Sequence, residues 1–161
     1  MLMIIDGHNL IPHMPGVNLS DPDDEMQLIQ MVQSYCRLRR RTAEIYFDKA
    51  PAGQARAYST GMVKAVFVRT GRTADDAIID RLKQLGRRAK NCLIVSSDRQ
   101  VQQASRAVHA DVVSAAAFAA DWRELSEQSP EFEQPEQPLT EDEITYWQQL
   151  FENRKPPESG N

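Results

Sequence analysis

The chain has 161 residues, 41% hydrophobic and 26% charged, the balance of a globular protein long enough for one domain with a real core and some surplus. No stretch approaches the ~18 apolar residues of a membrane span and no basic segment precedes an apolar signal core, so a cytoplasmic protein with no membrane partner is expected. The net charge of −4 argues against a nucleic-acid partner only until its distribution is read: residues 1–120 carry 16 Lys and Arg against 12 Asp and Glu, whereas residues 121–161 carry 3 against 11.

The first element is the apolar run Met1–Ile5, a strand covered on both faces, which ends on Asp6 and is followed by Gly7, His8 and Asn9. A Pro-containing loop leads to a helix from about Glu25 to Arg40, acidic at its start and basic at its "RLRRR" end, the order that suits the helix macrodipole. "AEIYFDKA" reads as a second strand ending on Asp48, and "VKAVFVRT" as a third. Thr73 caps a helix over "TADDAIIDRLKQLGRRAK", whose Ile78, Leu82, Leu85 and Ala89 form an apolar stripe. "NCLIVSSD" is the fourth strand and ends on Asp98; "RQVQQASRAVH" is the helix behind it, "ADVVSA" a short fifth strand, and "AAAFAADWRELSEQ" a further helix. Cys36 and Cys92 fall in a helix and a strand without zinc-site spacing and read as buried thiols.

Alternating strands and helices of these lengths imply an α/β fold, with a parallel sheet and helices on both faces. The domain is expected over residues 1–126. A Pro- and Glu-rich linker follows over 127–139, then an amphipathic acidic helix over 140–155 with Thr140 and Glu143 in capping-box spacing. Trp147 and Phe151 on its apolar face could complete the core, anchor a protein partner, or leave the acidic segment to cover a basic face.

Asp6, Asp48 and Asp98 each end a predicted strand, and Asp75 and Asp76 open a helix, so all five can lie on one rim of a parallel sheet, where ligands collect in such folds. Like charges gathered there repel unless a cation lies between them, and an all-carboxylate set favours Mg²⁺ or Mn²⁺. Each acid also has an ordinary alternative: Asp75 and Asp76 as favourable first-turn charges, Asp48 as a turn residue, Asp98 as a helix cap. His8 and His13 read as loop or surface histidines, while the Asn9 amide can hold a carboxylate or a water in place.

"IIDGHNL", "TADDAIIDRL" and "VSSDRQVQ", in that order, resemble the YacP-like NYN domain family of the PIN-like metal-dependent ribonucleases, over roughly Met1 to Asp121. The resemblance implies a three-layer PIN-like fold on a five-stranded parallel sheet of order 3-2-1-4-5, with the tail helix added. It also implies that Asp6, Asp75 and Asp98 are metal-site carboxylates and that Asn9 assists. An acid common in the family four residues beyond Asp75 would fall on Ile79, with Asp80 one later, which leaves Asp76 as a candidate substitute. Its implied substrate is RNA, and some members act with the ribosome.

The expectation is therefore a Mg²⁺- or Mn²⁺-dependent endoribonuclease. Asp6, Asp75, Asp98 and Asn9 carry the chemistry, Asp76 and Asp48 support the metal, Arg72 and Arg99 neutralise phosphate, and Arg87 and Arg88 bind RNA. A non-catalytic RNA- or ribosome-binding module and an adaptor acting through its tail are the alternatives.

Overall fold

The computed structural model describes residues 1–20, 23–48 and 56–129; the expected tail helix and nearly all of the expected linker lie outside them. Strand β1 (Leu2–Asp6) runs straight into a one-turn helix α1 (Gly7–Leu10) and a 3-10 turn over Ile11–His13. Helix α2 (Asp24–Arg39) follows, then β2 (Thr42–Phe47), β3 (Arg56–Thr60), β4 (Val63–Phe67), α3 (Ala74–Leu85), β5 (Cys92–Val95), α4 (Arg99–Ala107), β6 (Asp111–Val113) and α5 (Ala115–Gln128).

The sheet has six strands in the order β3-β4-β2-β1-β5-β6. It is mixed, because β3 pairs antiparallel with β4 at one edge while the pairs β4–β2, β2–β1, β1–β5 and β5–β6 are parallel. The expected wholly parallel, five-stranded sheet is corrected by that edge strand. β3 reads "RAYST", too polar and too short to stand out as a strand, and its partner is supplied by a two-residue loop. Gly61 takes the first loop position with φ +56°, the left-handed conformation such hairpin loops require.

Period-two alternation sorts the strands between two cores. Met3, Ile5, Ile45, Phe47 and Val95 pack with Leu28, Val32, Tyr35 of α2 and Phe118 of α5. Ile4, Tyr46 and Ile94 face the other way, against Ile78 and Leu82 of α3 and Val101 of α4. Helices thus cover both faces of β1, which is why its run has no polar member before Asp6.

Two helix ends differ from the sequence reading. The α3 stripe is buried through Leu85, but Gly86, at φ +54°, ends the α-helix, and the chain continues as a 3-10 segment to Asn91. His8 and Asn9 lie in α1 rather than in an open loop. Both cysteines are free and buried, as expected. Among the described residues no helix is long and apolar enough to cross a membrane.

Candidate active site

Parity places the acids. Asp6 sits level with Tyr46 on β2, and Ile5 with Val95 on β5, so Ser96 follows beside Asp6 on the other flank. Ile4, Tyr46 and Ile94 face α3, and Asp6, Asp48, Ser96 and Asp98 continue that even-numbered series past the strand ends. Asp75, in the first turn of α3, meets them there.

Asp48, Asp98 and Asn9 are tied to backbone, and Asp6 to a neighbouring hydroxyl. Asp6 is only 6% exposed, and the hydroxyl of the wholly buried Ser96 reaches its Oδ2 at 3.5 Å. The same hydroxyl accepts the Asp98 N–H at 3.1 Å, and Gln102 Nε2 donates to the Ser96 carbonyl at 2.8 Å. Asp98 Oδ1 caps α4 by accepting the Val101 N–H at 3.1 Å. Asn9 Oδ1 accepts the Ser97 N–H at 2.9 Å, stapling α1 to the loop that carries Asp98. Asp48 Oδ1 accepts the Ala74 N–H at 2.6 Å, at the amino end of α3.

The fork of Arg81 fixes α3 against the sheet through Nε and Nη2 on the Glu44 carboxylate at 2.9 and 2.8 Å, while the Tyr46 hydroxyl donates to Glu44 Oε1 at 2.7 Å. Burial works against a charge on Glu44, but the bonds from Arg81 and Tyr46 prevail and hold its carboxyl below the usual range. The start of α3, and with it Asp75, has a rigid seat.

The acids do not ignore one another. Burial, and after it the Asp75 carboxyl, pushes Asp6 up to about 7, with a further contribution from Asp48 and an opposing backbone hydrogen bond from Asn9. Asp75 is also raised, by burial first and then by the charge and hydrogen bonding of Asp98 and the charge of Asp48, against a lowering hydrogen bond with Asp6. Asp75 therefore stands between Asp6 and Asp98 as a link in a chain of carboxyl groups. Carboxyl groups in such contact need a proton or a cation between them.

The remaining predicted site residues divide. Asp76 is exposed and closes the capping box of α3: its N–H donates to Thr73 Oγ1 at 3.1 Å and its carboxylate accepts the Thr73 N–H at 3.5 Å. Arg72 pairs with Asp80, and Arg99 is the exposed first residue of α4, both on the acidic rim. Arg87 and Arg88 are not on that rim. They precede β5 in the 3-10 segment, at the amino-terminal edge of the sheet.

Sequence reasoning missed the surroundings of His8. Its Nε2 lies 2.9 Å from Oε2 of Glu25, a fully buried carboxylate 17 residues away, and its Nδ1 lies 3.4 Å from the Asp48 N–H. The second contact assigns Nδ1 as acceptor and Nε2–H as donor. The ring also tilts against Phe47, with centroids 5.3 Å apart. His8 thus connects the buried start of α2 to Asp48, and no local spacing announces it. Ser96, which reads as an ordinary polar neighbour of Asp98, is the other residue missed.

Among the described residues, no group of three or more His, Cys, Asp or Glu side chains stands in a ligand arrangement for a metal ion. The carboxyls frame pairwise contacts instead. Their chemistry still fits a hard divalent ion: all donors are carboxylate oxygens, and their crowding leaves Asp6 and Asp75 reluctant to ionise without a positive neighbour.

The fold has solved counterparts. The crystal structure of Rae1 (YacP) from Bacillus subtilis superposes with a TM-score of 0.64 at 20% identity, over 80% of this chain and 76% of that one. A point mutant of the same Bacillus subtilis protein gives a TM-score of 0.59 at 18% identity, over 99% of this chain and 95% of that one. No curated protein matches the chain. The family model for the YacP-like NYN domain matches residues 3–152, nearly the whole chain, and the protein belongs to that family.

Proposed function

We propose that the chain is an endoribonuclease that cleaves RNA phosphodiesters at the rim framed by Asp6, Asp75 and Asp98, with Mg²⁺ or Mn²⁺ as cofactor. The observation that carries this reading is the Asp6–Asp75–Asp98 chain itself: carboxyls from β1, α3 and the β5–α4 turn are linked through Asp75, and the most buried of them, Asp6, is pushed up to about 7. A structural role alone gives no reason to bring them together against their repulsion. Membership of the YacP-like NYN family supports the reading.

Asp6, Asp75 and Asp98 would hold the ion, which when bound supplies Lewis-acid polarisation of phosphate and water. Asp98 has one oxygen committed to the α4 cap, so its orientation is set before any ligand arrives. Asn9 is a positioning residue that fixes the Asp98 loop through Ser97, and Ser96 bridges Asp6 and Asp98. Asp6, raised to about 7 by burial and Asp75, would give up its proton to hold the ion, so ion binding should strengthen with pH. Arg99 on α4 and Arg72 before α3 flank the rim and supply positive charge toward a phosphate, Arg72 by exchanging its Asp80 partner. Asp48 and Asp76 support the site chiefly by fixing the α3 start.

Mn²⁺ titration followed by electron paramagnetic resonance, together with cleavage of a labelled RNA, tests the assignment. The parent chain is expected to bind Mn²⁺ and cut, and Asp6→Asn to lose both while staying folded. A parent chain that binds RNA but neither binds Mn²⁺ nor cuts would make the protein a binding module with a relict site.

A further inference from the structure

The topology separates what the sequence runs together. Eight of the sixteen Lys and Arg residues in the first 120 positions fall in two short segments, 37–41 and 83–90, which contain no Asp or Glu. In the fold, the first segment ends α2 and enters β2; the second ends α3 and enters β5. β2 and β5 both flank β1 and both run parallel to it. The two basic segments therefore arrive at the same edge of the sheet, one on each side of the chain's first residue.

Local contacts confirm that neighbourhood. The Thr42 N–H donates to the Met1 carbonyl at 3.1 Å, and the Arg41 N–H to the Cys36 carbonyl at 3.0 Å. On the other flank, the Cys92 thiol is raised by burial, and the charges that bear on it include Arg81, the Met1 amino group and Arg88. Arg39, Arg40, Arg87, Arg88 and Lys90 are all exposed. Acids reach this edge too: Asp121 of α5 bonds Arg39 at 3.2 Å and accepts from Tyr35 at 2.7 Å, Glu124 and Glu127 follow it toward the end of α5, Asp111 opens β6, and the buried Glu44, held by Arg81, also bears on Cys92. The two segments bring eight basic side chains to the end opposite the rim carboxylates, with β1 alone spanning ~13 Å between its ends at ~3.3 Å per residue.

We infer that this amino-terminal edge is a second RNA-binding surface, which grips phosphates away from the cleavage rim. It rests on the proposed RNA substrate for the identity of the polyanion; its position and charge do not depend on that reading. Exposed guanidinium and ammonium groups with few aromatics among them contact phosphates without regard to base, and their affinity falls with salt. A stacked tetranucleotide advances only about 10 Å along its axis at ~3.4 Å per nucleotide, less than the ~13 Å length of β1 alone, so in that form it does not reach both ends of the sheet. A long RNA can. The protein should accordingly prefer long RNA to short RNA by more than the rim accounts for, and lose that preference when the edge is neutralised.

The test uses the full chain carrying Asp6→Asn, so that the probe survives and the outcome does not depend on whether the protein is a nuclease. Binding of a four-nucleotide and a thirty-nucleotide RNA is measured with and without Arg87→Ala, Arg88→Ala and Lys90→Ala together, at two salt concentrations. The expected result is about tenfold weaker binding of the long RNA, a salt slope shallower by about 2, and unchanged binding of the short one. Unchanged affinity for the long RNA would overturn the inference. Equal weakening of both RNAs would also overturn it, by placing these groups in the substrate path. Tighter binding of polyglutamate than of RNA of equal charge would assign the edge to an acidic protein instead. Arg39→Ala, on the other flank, should reproduce the long-RNA loss in smaller measure, which guards against a local disturbance of β5.

Discussion

At the carboxyl end of the sheet the charges are acidic, partly buried and held by short hydrogen-bonding tethers: Asp98 by the Val101 N–H, Asp48 by the Ala74 N–H, Asp6 by the Ser96 hydroxyl. At the amino end they are basic and mostly exposed on long side chains. Burial and short tethers keep like charges together despite their repulsion, which is the condition for chemistry at a fixed point. Long exposed side chains avoid that strain and suit a partner whose charge is spread along a chain. One sheet thus presents a rigid acidic end and an adaptable basic end.

The sharpest way to break this contrast is at Asp6. Asp6→Asn should abolish Mn²⁺-dependent RNA cleavage, a loss of at least about hundredfold, and should raise stability measured without metal. The sign follows from the raised carboxyl: Asp6 moves from 3.8 to about 7 on folding, so the folded chain holds its proton more firmly. Its contribution to stability is full below about pH 4 and is lost as pH climbs through about 7. At pH 8 the neutral amide removes that loss, on the order of 2–4 kcal/mol as an upper range for a coupled group. Thermal melts of both chains at pH 5 and pH 8 check it, with the gain clearly larger at the higher pH. An equal gain at both values would mean that Asp6 carries no strained charge.

Rigidity at the acidic end depends next on Gly7. A Cβ there would lie 2.3 and 2.6 Å from Cε1 and Cδ1 of Phe47 and 3.0 Å from Cγ2 of Ile45. Phe47 is itself fully buried, and its ring stacks on Phe67 at 5.2 Å. Gly7→Ala should cost about 1–3 kcal/mol through overpacking and should weaken Mn²⁺ binding as β1 and Asp6 shift. Urea unfolding and Mn²⁺ titration read the two effects. Loss of stability with unchanged metal affinity would show that the acidic end tolerates movement of its base.

These positions also show what could be read from the sequence. The motif acids were legible because strands of a parallel sheet end together, so Asp6, Asp48 and Asp98, each closing a predicted strand, could be placed on one rim. Thr73 was legible as a cap because its hydroxyl stands just before the helical pattern, whereas its pairing with Asp76 was not read. An Asp-Gly pair ordinarily marks a turn, yet Gly7 opens a helix and is required for space beside Phe47, a contact between elements 40 residues apart. The Glu25–His8 bond was illegible for the same reason, as was β3, whose composition carries little strand signal without its partner. The two basic segments were visible as charge, but only the β2-β1-β5 order reveals that they share the edge opposite the acids.

His8 tests whether the acidic end is braced from α2. His8→Phe keeps the ring against Phe47 but removes the bond to Glu25, and breaking it in a buried setting should cost about 1–3 kcal/mol. Chemical denaturation gives the stability change. His8→Gln, which can bond the carboxylate again, should recover part of it. Equal loss in both variants would reduce His8 to a packing residue.

The smallest expected effect separates a cap from a ligand at Asp76. Its carboxylate faces the Thr73 N–H, and its own N–H is bonded to Thr73 Oγ1. Asp76→Ala therefore removes half of a capping box and a favourable charge from the first turn of α3, a loss of about 0.5–1 kcal/mol. Because Asp75 is the next residue, a frayed helix start could be mistaken for a lost ligand in an activity assay alone. Asp76→Ser distinguishes them: a hydroxyl can return some hydrogen bonding to the first turn but is a poor substitute for a carboxylate on Mn²⁺. If Asp76 only caps, Ser should recover stability relative to Ala, and both variants should hold Mn²⁺ within about threefold of the parent. If Asp76 is a ligand, both should lose Mn²⁺ affinity by about tenfold or more whatever their melting temperatures. Its engagement with Thr73 favours the first outcome, and with it an acidic end whose chemistry is confined to Asp6, Asp75 and Asp98 while their neighbours hold the backbone.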